Sequence, residues 1–125
     1  MSNPCETQCW NPDLTLELVG GDKELFIDMI QIFLEEAPKQ IQALRISIDT
    51  KDAGNVEQAA HRLKGDLGYL NARNAVEYAR TLEAAGHDAD LTQADTTLAA
   101  LEAELQMIFA AMRSVCVRRY STERA

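Results

Sequence analysis

Residues 60–70 read AHRLKGDLGYL, and this stretch carries both the helical pattern of the chain and its least expected residues. Four apolar side chains recur every three or four residues, the spacing of one helix face: Ala60, Leu63, Leu67 and Leu70. Gly65 and Gly68 interrupt the same segment, although each weakens a helix interior by about 0.5–1 kcal/mol relative to alanine. The stretch therefore predicts an amphipathic helix in which two glycines serve a purpose other than helix stability.

The same spacing continues on both sides of this segment, whereas the alternating pattern of β-strands is scarce. It predicts helices over about 22–50, 53–69 and 72–85, with Asp52 capping the second and Gly86 ending the third. A short helix precedes them, capped by Asn11 or Asp13 and ended by Gly20. A long last helix carries the stripe Leu98, Leu101, Leu105, Ile108, Met112 and Val115. The chain is predicted to be all-α, with its helices packed lengthwise in a bundle.

Pro38 lies inside the apolar stripe of residues 22–50. Proline removes a backbone donor and crowds the carbonyl one turn earlier, here that of Leu34. The segment is therefore either one kinked helix or two helices end to end, and we favour the kinked helix.

Composition limits the classes of function. A chain of 125 residues with 46% hydrophobic residues is the size of one domain with a single core. The net charge of −8 repels phosphate backbones and anionic lipids, so neither a nucleic-acid nor a membrane partner is expected. No apolar run of about 18 residues and no secretion signal is present, which favours a cytoplasmic protein.

The three cysteines are Cys5, Cys9 and Cys116. The first two fall in a leader rich in Pro and Asn, and all three are interpreted as free thiols. The alternative is a metal site on CETQC, which needs two further ligands from His61 and His87.

His61 lies at roughly 140° from Val56 on a helical wheel, and Gly68, Gly65, Lys64 and Glu57 lie at roughly 80–180° on the same side. The histidine is thus predicted to face away from the core, beside bare backbone and one lysine. A neutral exposed imidazole keeps one nitrogen lone pair free as a nucleophile. The alternative is an ordinary surface histidine beside glycines that only permit close helix packing.

The segment AHRLKGDLGYLNA resembles the signature of the histidine-containing phosphotransfer (HPt) domain: Ala-His-x-Leu-Lys-Gly, a short stretch, a second glycine, then Leu-Gly-Ala. Matching positions are Ala60, His61, Leu63, Lys64, Gly65, Gly68, Leu70 and Ala72. LVGGDKELFIDMIQIFLEEAPKQIQAL is similar to the family's first two helices, and YARTLEAAG to the helix after the histidine. The resemblance extends over about residues 13–87. Asn71 departs from the usual glycine and Asp66 from the usual serine or alanine.

This resemblance implies an antiparallel four-helix bundle with a short additional N-terminal helix. It also implies a phosphorelay carrier: His61 accepts a phosphoryl group from a receiver aspartate and passes it to another. Lys64 would neutralise phosphoryl charge, and Glu83 would orient the imidazole or be a solvated helix charge. The receiver would dock against Gly65, Gly68, Arg62 and Tyr69. Arg62 and Arg73 would meet an acidic receiver pocket or, alternatively, be solvated helix charges. Tyr69 would belong to an apolar docking patch or, alternatively, lie at the edge of the core.

The implied partners are response-regulator receiver domains, one in a hybrid sensor kinase and one in a downstream regulator. The chain itself would be a monomer. The same resemblance implies that the receivers supply Mg²⁺ and that the chain holds no cofactor of its own. No Gly-rich phosphate-binding loop with a lysine is seen in the sequence, so no nucleotide site is expected. The resemblance thus implies a phosphotransfer protein that is not an autonomous kinase. Alternatives are the phosphoryl-accepting domain of a chemotaxis-type histidine kinase and a helical adaptor without the chemistry. The predicted boundaries are a flexible leader over 1–11, the bundle over 12–118 and a tail over 119–125.

Overall fold

A computed structural model describes residues 10–124 of the chain, with side chains described over 10–115. Its five helices are α1 Pro12–Leu18, α2 Lys23–Asp49, α3 Ala53–Tyr69, α4 Arg73–His87 and α5 Ala94–Arg124. Helix α2 packs against α3 and α5, and α4 packs against the same two helices. This is the predicted antiparallel four-helix bundle, with α1 as a short addition that contacts α2. Within residues 10–124, none of the helices has the length and hydrophobicity that a membrane span needs.

The starts of α1 and α3 are set by side-chain caps that the sequence predicts. Asn11 Oδ1 accepts hydrogen bonds from the backbone of Asp13 and Leu14, and Pro12 takes the first helical position. Asp52 Oδ1 accepts from the amide of Asn55 at the start of α3. Helix α2 is a single helix that continues through Pro38, so the alternative of two helices end to end is wrong.

The core is formed by the apolar stripes of all four long helices. Its largest fully buried side chains are Trp10, Phe26, Ile30, Leu44, Leu63, Leu67, Leu82, Leu98, Leu101, Leu105, Ile108 and Met112. The stripe predicted for α5 is buried from Leu98 to Met112, and Val115 is partly buried at its end. The helical periodicity therefore predicted the packed faces correctly.

Trp10 corrects the leader predicted over 1–11. Its side chain is only 2% exposed, its ring stacks on Phe26 with centroids 6.2 Å apart, and its Nε1 donates a hydrogen bond to Thr15 Oγ1. A tryptophan this buried belongs to the core, because its large apolar surface and its one donor are both satisfied there. Trp10 therefore belongs to the folded part of the chain. Residues 1–9, including Cys5 and Cys9, lie outside the described residues.

Two boundaries near the ends of helices are also corrected. Gly86 was predicted to end its helix, but α4 runs on to His87 and Gly86 is buried inside it. A Cβ on Gly86 would lie 2.5 Å from the amide nitrogen of Glu57 and 2.7 Å from the carbonyl oxygen of Ala53. This glycine thus permits α4 to pack on the backbone of α3. At the other end, α5 continues to Arg124, so the backbone does not change at the predicted boundary between 118 and 119.

Candidate functional site

His61 lies on the exposed face of α3, with 70% of its side chain accessible to solvent. Gly65 and Gly68 continue this face, and a Cβ built on either would meet no neighbouring heavy atom within 4 Å beyond its own helical turn. The two glycines therefore do not serve packing within the bundle. They leave bare backbone beside the imidazole, which allows another surface to approach it closely.

Glu83 of α4 contacts two of the predicted site residues of α3, His61 and Lys64. Its Oε2 lies 2.5 Å from His61 Nδ1, and its Oε1 accepts a hydrogen bond of 2.6 Å from Lys64 Nζ. The Glu83 and Lys64 side chains are 20% and 28% exposed, so both are more sheltered than the imidazole. The carboxylate thus bridges a half-sheltered ammonium group and an exposed imidazole.

The register of the α3–α4 hairpin explains this meeting. The chain turns at Leu70, Asn71 and Ala72, and Asn71 adopts a left-handed conformation with φ of 56°, which asparagine tolerates better than most residues. His61 lies eleven residues before Ala72 and Glu83 lies eleven residues after it. In an antiparallel hairpin, positions equally far from the turn lie opposite one another, so the two side chains meet.

Hydrogen bonds fix the protonation of Glu83. The hydrogen bond from Lys64 lowers the pKa of Glu83 below its ordinary value; partial burial opposes this, and the bond with His61 adds to the lowering. Glu83 is therefore ionised at neutral pH and can only accept hydrogen bonds. Nδ1 of His61 must then carry the proton of this contact, which leaves the lone pair of a neutral imidazole on Nε2.

A second pair with the same chemistry lies one helical turn away. His87 Nδ1 of α4 lies 3.0 Å from Glu57 Oε2 of α3, and the His87 side chain is 73% exposed. These two residues lie fifteen positions on either side of Ala72, so the same register pairs them. No lysine bonds Glu57 within the described side chains, and Gly86 beside His87 is buried rather than open. His87 therefore shares the imidazole–carboxylate contact of His61 but not its surroundings.

The remaining predicted docking residues lie on the α2 side of His61. Arg62 and Tyr69 are exposed, and Tyr69 is 68% accessible, so it is not part of the core. Asp66 is partly buried and its Oδ2 accepts a hydrogen bond of 3.0 Å from Gln40 Nε2 of α2. Arg73, at the start of α4, is exposed. The sequence did not indicate the Lys64–Glu83 or Gln40–Asp66 contacts, because each depends on packing between helices.

Residues 10–115 contain no group of three or more His, Cys, Asp or Glu side chains placed to hold a metal ion. The metal site considered on Cys5 and Cys9 falls on residues outside this part of the chain. The thiol of Cys116 lies outside it as well.

Comparisons with known proteins identify a family and a shared fold. The family model described as "Hpt domain" matches residues 28–111, which include His61, Lys64 and Glu83. The crystal structure of histidine-containing phosphotransfer protein B from Pseudomonas aeruginosa PAO1 superposes with a TM-score of 0.84. Sequence identity is 17%, and the match covers 94% of this chain and 98% of that one, which establishes a shared fold. No curated protein matches the chain in sequence.

Proposed function

Because the chain belongs to the Hpt domain family, we propose that it is a phosphorelay carrier that receives a phosphoryl group on His61 from the aspartyl phosphate of one receiver domain and delivers it to the aspartate of another. The observation that carries the proposal is the bridge from Glu83 to His61 Nδ1 and Lys64 Nζ, beside two glycines that clear the surface. This arrangement combines a nucleophile held in one tautomer, His61, with a nearby cation, Lys64, and a surface that is open to a partner.

The reaction uses the lone pair of His61 Nε2. This pair attacks the phosphorus of the aspartyl phosphate; the N–P bond forms as the acyl O–P bond breaks, and the electrons of that bond leave with the aspartate carboxylate. The proton on Nδ1 stays in its hydrogen bond to Glu83, whose negative charge stabilises the imidazolium character that develops during transfer. The return step reverses these changes, with the carboxylate of a second receiver as the nucleophile.

Lys64 acts on the phosphoryl oxygens in this proposal. Its ammonium group has three donors, and one is used by Glu83 in the structure. The other two are available to phosphoryl oxygens on Nε2, where a fixed cation offsets the charge spread over them in the transition state. Lys64 would thus hold Glu83 in the free protein, and both Glu83 and the phosphoryl group in the modified one.

Gly65 and Gly68 admit the partner. Phosphoryl transfer depends mainly on positioning, since attacking and leaving atoms must lie in line. A receiver carries its aspartate in a pocket, so its rim must come close to the helix that presents Nε2. The open space over both glycines accommodates that rim. We further propose that the receivers supply the Mg²⁺, that they belong to a hybrid sensor kinase and a downstream regulator, and that the carrier is a cytoplasmic monomer.

The second candidate is the phosphoryl-accepting domain of a chemotaxis-type histidine kinase, because the same His-x-x-Lys-Gly core would serve there. In that case the donor is a kinase domain with ATP rather than a receiver with aspartyl phosphate. The segment 18–38, which resembles the first helices of carriers, favours the relay. The donor that labels His61 distinguishes the two functions.

The test is phosphotransfer from a panel of receiver domains of the same genome, each charged with radiolabelled acetyl phosphate. We expect at least one receiver to label the wild-type chain within seconds to minutes, with an adduct that is labile in acid and stable in alkali. His61→Gln should abolish the label. ATP with Mg²⁺ and no receiver should leave the chain unlabelled.

His87→Gln is the matched control, because the His87 side chain is about as exposed as that of His61 and its Nδ1 also contacts a glutamate carboxylate. It should retain wild-type labelling. Equal labelling of wild type and His61→Gln would contradict the proposal, and labelling by ATP alone in a purified preparation would contradict the carrier function.

A further inference from the structure

A groove of about 240 Å³ opens between α2 and α3. It lies beyond His61 toward the C-terminal end of α3. Its apolar lining includes Met29, Ile32, Tyr69 and Leu70, and its polar lining includes Gln40 and Asp66. Ile32 is 60% exposed and Tyr69 is 68% exposed, although both are large apolar side chains. Such a patch beside a reactive residue is typical of an interaction surface.

The groove lies farther along α3 than His61 and is turned toward α2. Gly65 lies between His61 and Asp66 along α3, and Gly68 precedes Tyr69. With a rise of about 1.5 Å per residue, Tyr69 lies roughly 12 Å beyond His61 along the helix. A domain of ordinary size that covers His61 and rests on the two glycines therefore reaches the groove.

The polar contact inside the groove is only half satisfied. Gln40 Nε2 donates to Asp66 Oδ2, but the amide oxygen of Gln40 is buried and has no hydrogen-bond partner among the described residues. A buried acceptor without a partner carries a desolvation cost. If another donor replaced Gln40 at Asp66, the Gln40 side chain could rotate so that its amide oxygen reaches water, and the desolvation cost would be removed.

The negative charge of Asp66 favours a cationic side chain as its hydrogen-bond donor. Asp66 carries a carboxylate with no cationic partner among the described side chains, and the only partner found for it is a neutral amide. A lysine or arginine is a stronger donor to a carboxylate than an amide, because both charges contribute to the bond. Glu36, which also lines the groove, is already paired with Lys39 at 3.2 Å.

We propose, on the basis of the phosphorelay function above, that the receiver bound over His61 inserts an apolar side chain into this groove and sets a lysine or arginine on Asp66 in place of the Gln40 amide. Asp66 is then a determinant of which receivers dock. A second copy of this chain is a poorer occupant, because two molecules of net charge −8 repel each other.

The experiment measures the dissociation constant of the receiver that labels His61 fastest, by titration of the unphosphorylated receiver into the full chain. Asp66→Asn removes the charge and keeps the shape and an acceptor for Gln40. We expect it to raise the dissociation constant about tenfold at low salt, with a smaller difference at high salt, because charge pairs at an interface are screened. Ile32→Ala should raise it about tenfold as well. The transfer rate at saturating receiver should remain near that of the wild type for both variants.

Two controls match these variants. Asp49→Asn removes the same charge from an exposed position at the far end of α2, and Met107→Ala shortens an exposed apolar side chain on α5, which packs on α2 and α4. Both should change the dissociation constant less than twofold. Thermal unfolding of all four variants checks that each is folded.

The outcomes separate this inference from the function on which it rests. If Asp66→Asn binds as the wild type does while His61 is still labelled, the docking proposal is wrong and the carrier function stands. If no receiver labels His61, both are wrong. If sedimentation shows self-association that Ile32→Ala removes, the groove belongs to a second copy and the receiver is not its occupant.

Discussion

Gly86→Ala tests whether α4 must pack on the backbone of α3 for Glu83 to reach His61. The added Cβ would lie 2.5 Å from Glu57 N, 2.7 Å from Ala53 O and 2.9 Å from Glu57 Cα. Carbon atoms at ordinary contact are about 3.5 Å or more from their neighbours, so α4 must move by about 1 Å at this point. All three atoms belong to backbone, which cannot rotate away as a side chain can.

The magnitude follows from two opposing effects. Overpacking of this kind costs about 1–3 kcal/mol, whereas replacing glycine by alanine inside a helix gains about 0.5–1 kcal/mol. We expect the free energy of unfolding to fall by about 1–2 kcal/mol and the midpoint by several degrees. Glu83 lies one turn before Gly86, so the same displacement should weaken its 2.5 Å contact with His61 and slow phosphotransfer.

Thermal unfolding and transfer rates at saturating receiver measure these effects, and the imidazole ¹⁵N shifts of His61 report the Nδ1–H tautomer. Gly68→Ala is the matched control, since its Cβ would enter open space. It should stabilise the chain by up to about 1 kcal/mol and leave the tautomer unchanged. An unfolding midpoint of Gly86→Ala at or above that of the wild type, with the tautomer retained, would refute this reasoning.

Three further predictions concern single side chains. Lys64→Ala should slow transfer at least tenfold in stopped-flow or quench assays, because the phosphoryl oxygens lose their cation, while the unfolding midpoint changes by only a few degrees. Glu83→Gln should be less stable than the wild type near pH 7, as measured by urea unfolding. Because the pKa of Glu83 is lowered in the folded chain, the difference in unfolding free energy should disappear as the pH falls below the ordinary pKa of 4.5 and through the folded pKa. Trp10→Ala should cost about 3–5 kcal/mol in the same assay, since the ring is 2% exposed and stacked on Phe26, and a cost below about 1 kcal/mol would show that Trp10 is not part of the core.

The helices were predictable because their signals are local. Apolar spacing defines the buried faces, and the caps at Asn11 and Asp52 act within three residues of the chain. Gly86 was misread because a glycine near a helix end is most often a cap, and only the packing of α4 on α3 reveals a close approach. The residue with positive φ after this helix is Ala89 instead. Trp10 was misread because a single aromatic residue in a polar segment has no periodicity.

The site was predictable in part for the same reason. His61, Lys64, Gly65 and Gly68 share one helix, so the wheel places them correctly on the exposed side. The contact with Glu83 depends on the register between two helices, which a single-helix wheel does not contain. Only the family resemblance pointed to Glu83. Counting residues from the turn at Ala72 would also have indicated this contact, together with the Glu57–His87 pair. The Gln40–Asp66 contact depends on how α2 lies against α3, and no local pattern in either helix specifies that.

The site of the N–P bond on His61 tests the central claim most directly. The chain, labelled with ¹⁵N at histidine, is phosphorylated by a charged receiver and the two imidazole nitrogens are identified by long-range ¹H–¹⁵N correlation and ³¹P coupling. Because Glu83 holds Nδ1–H in its 2.5 Å contact, we expect phosphorus on Nε2 of His61, the Nδ1 proton retained and His87 unchanged. Phosphorus on Nδ1 of His61, or on His87 instead, would contradict the account.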